Sequence, residues 1–181
     1  MRFWAYIYFA ALITFSLFIF TNWTFMLVVW IGLILFFNKK AQLLPKAQKH
    51  LFQIVTFGYP LIASVIKFMI EKDVIPYSWF WLNRFEHFFW ALSMTIVFLP
   101  LAHQFIKVID KKWLLLVQGC IAITLGNVIE VIEFALRRNL ADTRLGLYYS
   151  DTMFDILMNF LGVLVAIVIC FILQRTKQTK S

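Results

Sequence analysis

Residues 148–166 read YYSDTMFDILMNFLGVLVA, an apolar stretch in which polar residues return every four positions. The polar series, continued by two small residues, is Asp151, Asp155, Asn159, Gly162 and Ala166. Residues three or four apart share one face of an α-helix, so the series predicts a single stripe along a hydrophobic helix. Small residues in such a stripe allow another helix to approach closely. The stripe is therefore predicted to face protein and not lipid.

The composition of the whole chain indicates an integral membrane protein. Of its 181 residues, 62% are hydrophobic and 14% are charged, and the mean hydropathy is +0.83. The apolar segments are apolar on every face, whereas helices of a soluble domain carry a polar face. Membrane-spanning helices need roughly 20 residues, and the candidate spans are 3–20, 22–37, 51–70, 85–105, 113–136 and 153–173. The sequence thus predicts an all-α fold: a polytopic transmembrane helical bundle of about six spans that forms one domain, 1–181.

The basic residues predict the orientation of this bundle, because Lys and Arg are enriched in cytoplasmic loops. With a cytoplasmic N-terminus, eleven of the 17 Lys and Arg residues fall on the cytoplasmic side and five on the outer side, while Lys67 lies within the third span. Both termini are therefore predicted to be cytoplasmic. The net charge of +8 then reflects topology and contact with membrane lipids, so no nucleic-acid partner is predicted.

Eight of the nine acidic residues are predicted to lie on the outer side of the membrane, and the exception is Asp110. Three predicted helices carry polar groups to one depth, just inside the outer boundary of the hydrocarbon. The candidate cluster is Arg84 and His87 from the fourth span, Asn127, Glu130 and Glu133 from the fifth, and Asp151, Asp155 and Asn159 from the sixth. An unpaired charge at membrane depth costs roughly 3 kcal/mol or more. The cluster is therefore predicted to be paired, protonated or metal-bound.

Three blocks of this sequence resemble a known family. NRFEHF (83–88), NVIEVIEF (127–134) and SDTMFDILMNFLGVLVAI (150–167) are similar to blocks of the YjdF-like family of small bacterial inner-membrane proteins. The matching positions are Arg84, His87, Phe88, Glu130, Glu133, Phe134, Asp151, Asp155 and Gly162. Asn83 stands where the family carries an acid. The resemblance implies a multi-pass protein of the inner membrane and carries no assigned activity.

A second resemblance concerns the final helix alone. Its pattern of Asp155, Asn159 and Gly162 is similar to that of VanZ-like proteins, which are associated with reduced teicoplanin susceptibility.

One function that the cluster predicts is binding of a divalent metal ion. His and carboxylates at i, i+3 and i, i+4 offsets are the arrangement by which helical bundles hold metals. The predicted ligands are His87, Glu130, Glu133, Asp151 and Asp155. A bound ion would activate water against an ester or phosphoester of a lipid-linked or cell-envelope substrate. An anionic headgroup would then be held by Arg84, Arg137, Arg138 and Arg144.

Two alternatives stay open at this point. In a transporter, His87, Glu130 and Asp155 would relay protons or coordinate a coupling ion, although no repeated half marks an alternating-access site. In a structural or interaction protein, Arg84 and Arg137 would neutralise the acids and lock three helices together. No serine or cysteine nucleophile with a neighbouring base is recognisable, so the sequence does not establish catalysis.

Other polar residues within the spans are predicted to have plain roles. Glu86 is expected to be solvated at the start of the fourth span, and Lys67 to reach the outer interface near Glu71. Cys120 and Cys170 are expected to be buried free thiols, because free cysteine behaves as a small hydrophobe.

Overall fold

The computed structural model describes residues 3–18, 21–76, 79–104, 111–139 and 145–175. Most of these residues are α-helical, and none of them lies in a β-strand. The helices are α1 (Phe3–Ser16), α2 (Thr21–Ala41), α3 (Lys46–Glu71), α4 (Phe80–Val97), α5 (Leu99–Gln104), α6 (Lys111–Asn139) and α7 (Leu145–Arg175). The predicted all-α fold is confirmed.

The fourth apolar segment, 85–105, differs from its prediction as one helix. It is divided between α4, which ends at Val97, and α5, which begins at Leu99. Pro100 accounts for the break, because proline has no N–H for the helical ladder and its ring crowds the preceding turn. The N–H of Phe98 closes α4 by donating to the carbonyl oxygen of Met94 at 3.0 Å.

The helices present an apolar exterior. Among the described residues, three segments are long and apolar enough to cross a membrane, Trp23–Ala41, Lys46–Glu71 and Ser150–Leu173, and two shorter apolar helices accompany them. Large apolar side chains such as those of Phe25 and Ile172 are exposed. An exterior of this kind suits a bundle whose solvent is lipid. The individual crossings of the other predicted spans stay predictions.

The first part of the core is built on α2. Its buried residues, Trp23, Leu27, Trp30, Ile34 and Phe37, recur every three or four positions and so form one face. The indole N–H of Trp23 donates to Ser64 Oγ at 2.9 Å, and that of Trp30 donates to the carbonyl oxygen of Thr56 at 3.3 Å. Since the later residue of α2 contacts the earlier residue of α3, the two helices run antiparallel.

Aromatic contacts join this core to α4. The ring of Trp30 lies 5.0 Å from that of Tyr59 and 5.9 Å from that of Trp90, measured between centroids. Tyr59 and Trp90 are themselves 5.9 Å apart. One residue from each of α2, α3 and α4 thus meets in a single aromatic group, which fixes the position of α4.

The second part of the core is the contact of α7 with α4 and α6, which is the most extensive among the described helices. Gly162 permits the close approach of α7 to α4, because a Cβ at this position would overlap the backbone carbonyl oxygen of Phe88. Asp155, Asn159, Gly162 and Ala166 are all buried. The prediction that the polar stripe of the last helix faces protein is confirmed.

The two cysteines differ from each other. Cys170 is buried, as predicted, but Cys120 is exposed on α6, so that prediction was wrong. The face of α6 that meets α7 includes Gly119, whose neighbours are the side chains of Ile167 and Val163. Cys120, the next residue, is turned away from that contact by the helical rotation of about 100° per residue.

Candidate functional site

The centre of the polar cluster is a row of three ionisable side chains, one from each of three helices. His87 of α4 lies between the two carboxylates: its Nδ1 is 3.0 Å from Glu130 Oε1 of α6, and its Nε2 is 3.7 Å from Asp155 Oδ2 of α7. One ligand atom from each residue lies within 4.8 Å of the other two. We call these three residues the triad. Their spacing is close enough for one ion to contact all of them.

The triad sits inside the bundle. Glu130 is 4% exposed and Asp155 is 3% exposed, while His87 is partly exposed. Buried charges are retained only when they are paired, hydrogen-bonded or metal-bound. His87 is therefore the accessible member, and the two carboxylates depend on their protein partners.

Asn83 holds the carboxylate of Asp155 in place. Its Nδ2 lies 3.0 Å from Asp155 Oδ1 and 2.9 Å from Oδ2, so the amide donates to the carboxylate group. Such a partner orients a carboxylate toward an ion or a histidine without adding charge. Sequence reasoning missed this role. The available signal was the four-residue spacing of Asn83 and His87, which places them on one face of α4.

A separate ion pair lies beside the triad, toward the start of α7. Arg84 is 6% exposed, and its Nη2 is 2.8 Å from Asp151 Oδ1. The guanidinium also lies 5.6 Å from the centroid of the Phe154 ring, within the range of a cation–π contact. Asp151, predicted as a metal ligand, is thus engaged by Arg84 and is not one of the three grouped ligands.

A third pair uses residues for which plain roles were predicted. Lys67 Nζ is 2.6 Å from Glu86 Oε2, which joins α3 to α4. Glu86 is therefore paired and not simply solvated, and that prediction was wrong. Since Glu86 adjoins His87 in the chain, the pair also places the C-terminal part of α3 at the level of the triad.

Two asparagine side chains of the predicted cluster lie one layer deeper. Asn159 follows Asp155 by one turn of α7 and is 1% exposed, and Asn127 precedes Glu130 by nearly one turn of α6. The Oδ1 atoms of both side chains are buried, and no hydrogen-bond partner reaches them among the described residues. We call Asn127 and Asn159 the amide layer.

On α7, an apolar layer follows below these residues. Val163, Ala166 and Cys170 of α7 are each 0% exposed, and Gly119 of α6 lies against Val163 and Ile167. The apolar residues of α7 therefore separate the cluster from the C-terminal end of this helix, and the partly exposed His87 lies toward the end of the bundle where α4 and α7 begin.

Four predicted residues fall outside what the structure describes. The side chains of Glu133, Arg137 and Arg138, and the whole of Arg144, are not among the described residues. Their predicted roles, as a metal ligand for Glu133 and as headgroup-binding residues for the arginines, stay predictions.

The fold and this cluster define an all-α membrane protein with a buried group of His, Glu and Asp. Residues 1–176 match the family model DUF2238, described as predicted membrane protein. The chain belongs to this family, which is the YjdF-like family that the sequence blocks resemble. No protein of curated function and no solved structure matches the chain. The resemblance of the last helix to VanZ-like proteins finds no support in these comparisons.

Proposed function

We propose that the triad binds a divalent metal ion and that the protein uses it on a lipid-linked or cell-envelope substrate. The observation that carries the proposal is the meeting of His87, Glu130 and Asp155 from three helices, with one ligand atom from each within 4.8 Å. Catalytic metal sites typically have three protein ligands, drawn from residue types that include His, Asp and Glu, and leave a coordination position for water. Two buried carboxylates also supply the negative charge that a divalent cation neutralises.

The proposed location is the bacterial inner membrane, crossed several times, with the triad on the outer side and both termini in the cytoplasm. The basic residues support this orientation. Lys39 and Lys40 end α2 and Lys46 begins α3, whereas the triad lies beside the opposite end of α3. Lys and Arg accumulate on the cytoplasmic side of a membrane, so the triad belongs to the other side.

A substrate in the outer leaflet would reach the triad from the open end of the cluster. An ion held by His87, Glu130 and Asp155 would supply Lewis-acid activation for hydrolysis of an ester or phosphoester, in which water gives its hydroxyl to the acyl or phosphoryl group and a proton to the leaving alcohol. The partly exposed His87 supports access from this end. Arg84 is engaged by Asp151, so an anionic headgroup would compete with that carboxylate or use the predicted Arg137, Arg138 and Arg144.

Elemental analysis of the detergent-purified protein tests the metal. We expect a stoichiometric divalent ion in the parent protein, and loss of it in Glu130→Gln and in Asp155→Asn, because each variant exchanges an anionic ligand for a neutral amide. Glu86→Gln is the matched control, since Glu86 is an acid near the triad that pairs with Lys67 instead. Unchanged metal in both triad variants would contradict the proposal.

An ion-paired scaffold is the second candidate, favoured by the contacts of His87. Both ring nitrogens face carboxylates, and Asn83 donates to Asp155, so the side chains can neutralise one another without an ion. A scaffold predicts no metal in any variant and a lower thermal stability for Glu130→Gln. A proton- or ion-coupled transporter is less well supported, because the apolar layer at Val163 and Ala166 interrupts the polar groups of α7.

A further inference from the structure

The amide layer poses a problem that the triad alone does not explain. Asn127 and Asn159 each carry a buried side-chain oxygen to which none of the described residues donates a hydrogen bond. Buried polar atoms nearly always have a partner, and an exception calls for a water, an ion or a functional role. Oxygen atoms without donors attract a cation or a hydrogen-bond donor.

The amide of Asn159 lies inside the contact between α6 and α7. A Cβ on Gly126 would come 3.2 Å from Asn159 Nδ2, so this amide packs directly against the α6 backbone. Gly126 is followed at once by Asn127, and Glu130 lies less than one turn further along α6. Asn159 therefore lies in the α6–α7 interface, against the segment of α6 that carries Asn127 and Glu130.

The spacing within each helix is that of ligand pairs. Asp155 and Asn159 are four residues apart on α7, and Asn127 and Glu130 are three apart on α6. Side chains at these offsets are neighbours on a helix surface and converge on one ion in many helical metal sites. An ion between the two layers would be approached by a carboxylate and an amide oxygen from each helix.

We infer that Asn127 and Asn159 supply two further oxygen ligands, so that the site takes a hard, six-coordinate divalent cation of the Mg²⁺ and Mn²⁺ class. The inference rests on the proposed metal site and names the kind of ion that it holds. One imidazole nitrogen, two carboxylates and two amide oxygens give five protein ligands, and a water completes six. Carboxylate, carbonyl and water ligands suit Mg²⁺ and Mn²⁺, whereas Zn²⁺ in a four-coordinate site would leave the amide oxygens unused.

Asn83 has a different role in the same site. It donates an N–H to Asp155 and so acts as a positioning residue, outside the ligand set. The unpartnered oxygens of the amide layer have the chemistry of ligands, because an acceptor with no donor is free to coordinate.

The test compares Mn²⁺ and Zn²⁺ binding to the metal-depleted full chain in detergent. Free Mn²⁺ is followed by its electron paramagnetic resonance signal, and Zn²⁺ by calorimetry. Because Zn²⁺ generally binds any nitrogen and oxygen site more tightly than Mn²⁺, the informative quantity is the change in each affinity on mutation. For the double variant Asn127→Leu/Asn159→Leu, we expect Mn²⁺ affinity to fall at least about tenfold and Zn²⁺ affinity to change less than about threefold.

Two further variants make the comparison specific. Gln118→Leu makes the same kind of change at another buried side-chain amide of α6, whose Oε1 also lacks a partner in the part of the chain that the structure describes, and should leave both affinities unchanged. Asn159→Asp keeps an oxygen at the ligand position and should retain Mn²⁺ binding even if the leucine variants fold poorly.

The outcomes separate the two proposals. Equal loss of Mn²⁺ and Zn²⁺, no loss of Mn²⁺ in the double leucine variant, or loss of Mn²⁺ in Asn159→Asp would overturn the role of the amide layer and leave the triad as the metal site. Binding of neither metal by the parent protein would overturn the metal site itself, and the inference with it.

Discussion

Asn83 illustrates how a neutral side chain can control a buried carboxylate. It meets both oxygens of Asp155, at 3.0 and 2.9 Å, and adds no charge to a cluster that already contains two buried acids. A carboxylate at position 83 would face the carboxylate of Asp155, and the two would repel each other unless they shared a proton.

Replacing Asn83 with aspartate tests this account at the level of one residue. Asn83→Asp removes the amide donor and places a carboxylate against Asp155, so the free energy of unfolding is expected to fall by about 1–3 kcal/mol. Thermal unfolding in detergent near neutral pH measures the change. Asn38→Asp, the same replacement near the basic end of α2, should have little effect. Equal stability of parent and Asn83→Asp would show that the amide is not needed.

Ion-pair partners were the least predictable feature at this scale. Lys67 and Glu71 are four residues apart, a spacing visible in the sequence, yet Lys67 pairs with Glu86 of another helix. Likewise, Asp151 was predicted as a metal ligand from its place in the stripe, and the structure pairs it with Arg84. The sequence shows neighbours within a helix, but a partner on another helix depends on the tilt and rotation of both.

At the scale of the helix, the contact between α4 and α7 determines whether the triad forms. Gly162 lies against the backbone of Phe88, one residue beyond His87, and it follows Asp155 by two turns of α7. A side chain at this position would separate the two helices near the triad. Gly162 therefore permits both the close approach of the two helices and the formation of the triad.

Gly162→Ala is expected to destabilise the protein by about 1–3 kcal/mol, because the new methyl group meets a backbone oxygen that no side-chain rotation can move. Thermal unfolding measures the cost, and metal content reports whether the triad is disturbed. Gly58→Ala is the matched control, since nothing lies within 4 Å of a Cβ there. Alanine is the better helix former, so this control should be neutral or slightly stabilising. The same effect at both glycines would contradict the packing argument.

The individual helices were largely predictable from the sequence, but the helices against which each of them packs were not. Polar positions spaced by four predicted the buried face of α7, and apolar length predicted the segments that became α1, α2, α3, α6 and α7. The fourth segment was predicted as one helix although Pro100 was visible in it. A proline can kink a helix or end it, and the packing around it decides which occurs.

At the scale of the whole molecule, the level of the triad was predictable from the length of its helices. A constant rise of 1.5 Å per residue brings His87, Glu130 and Asp155 to one depth once the spans are assigned. The direct contact of these three side chains was not predictable, because the depth of a residue does not fix the rotation of its helix. The amide layer was part of the predicted cluster, but its unpartnered oxygens required the packed structure.

The orientation of the bundle gives a prediction at this scale. Alkaline phosphatase is active only outside the cytoplasm, so its fusion after Asp73, on the side of the triad, should be active, and its fusion after Gln42, at the basic end, should be inactive. Enzyme activity in intact cells, normalised to the amount of fusion protein, reads out the topology. The reverse pattern would place the triad on the cytoplasmic side and exclude an outer-leaflet substrate.

The most direct measurement of the central claim is pulsed electron paramagnetic resonance of the Mn²⁺-loaded protein. If the triad binds the ion, the spectrum should show coupling of Mn²⁺ to the nitrogen of one imidazole, and His87→Ala should lose it. His50→Ala, which changes a histidine of α3 near the opposite end of the bundle, should leave the coupling intact. Bound Mn²⁺ without nitrogen coupling, or with coupling that survives in His87→Ala, would show that the ion lies elsewhere and that the triad is not the metal site.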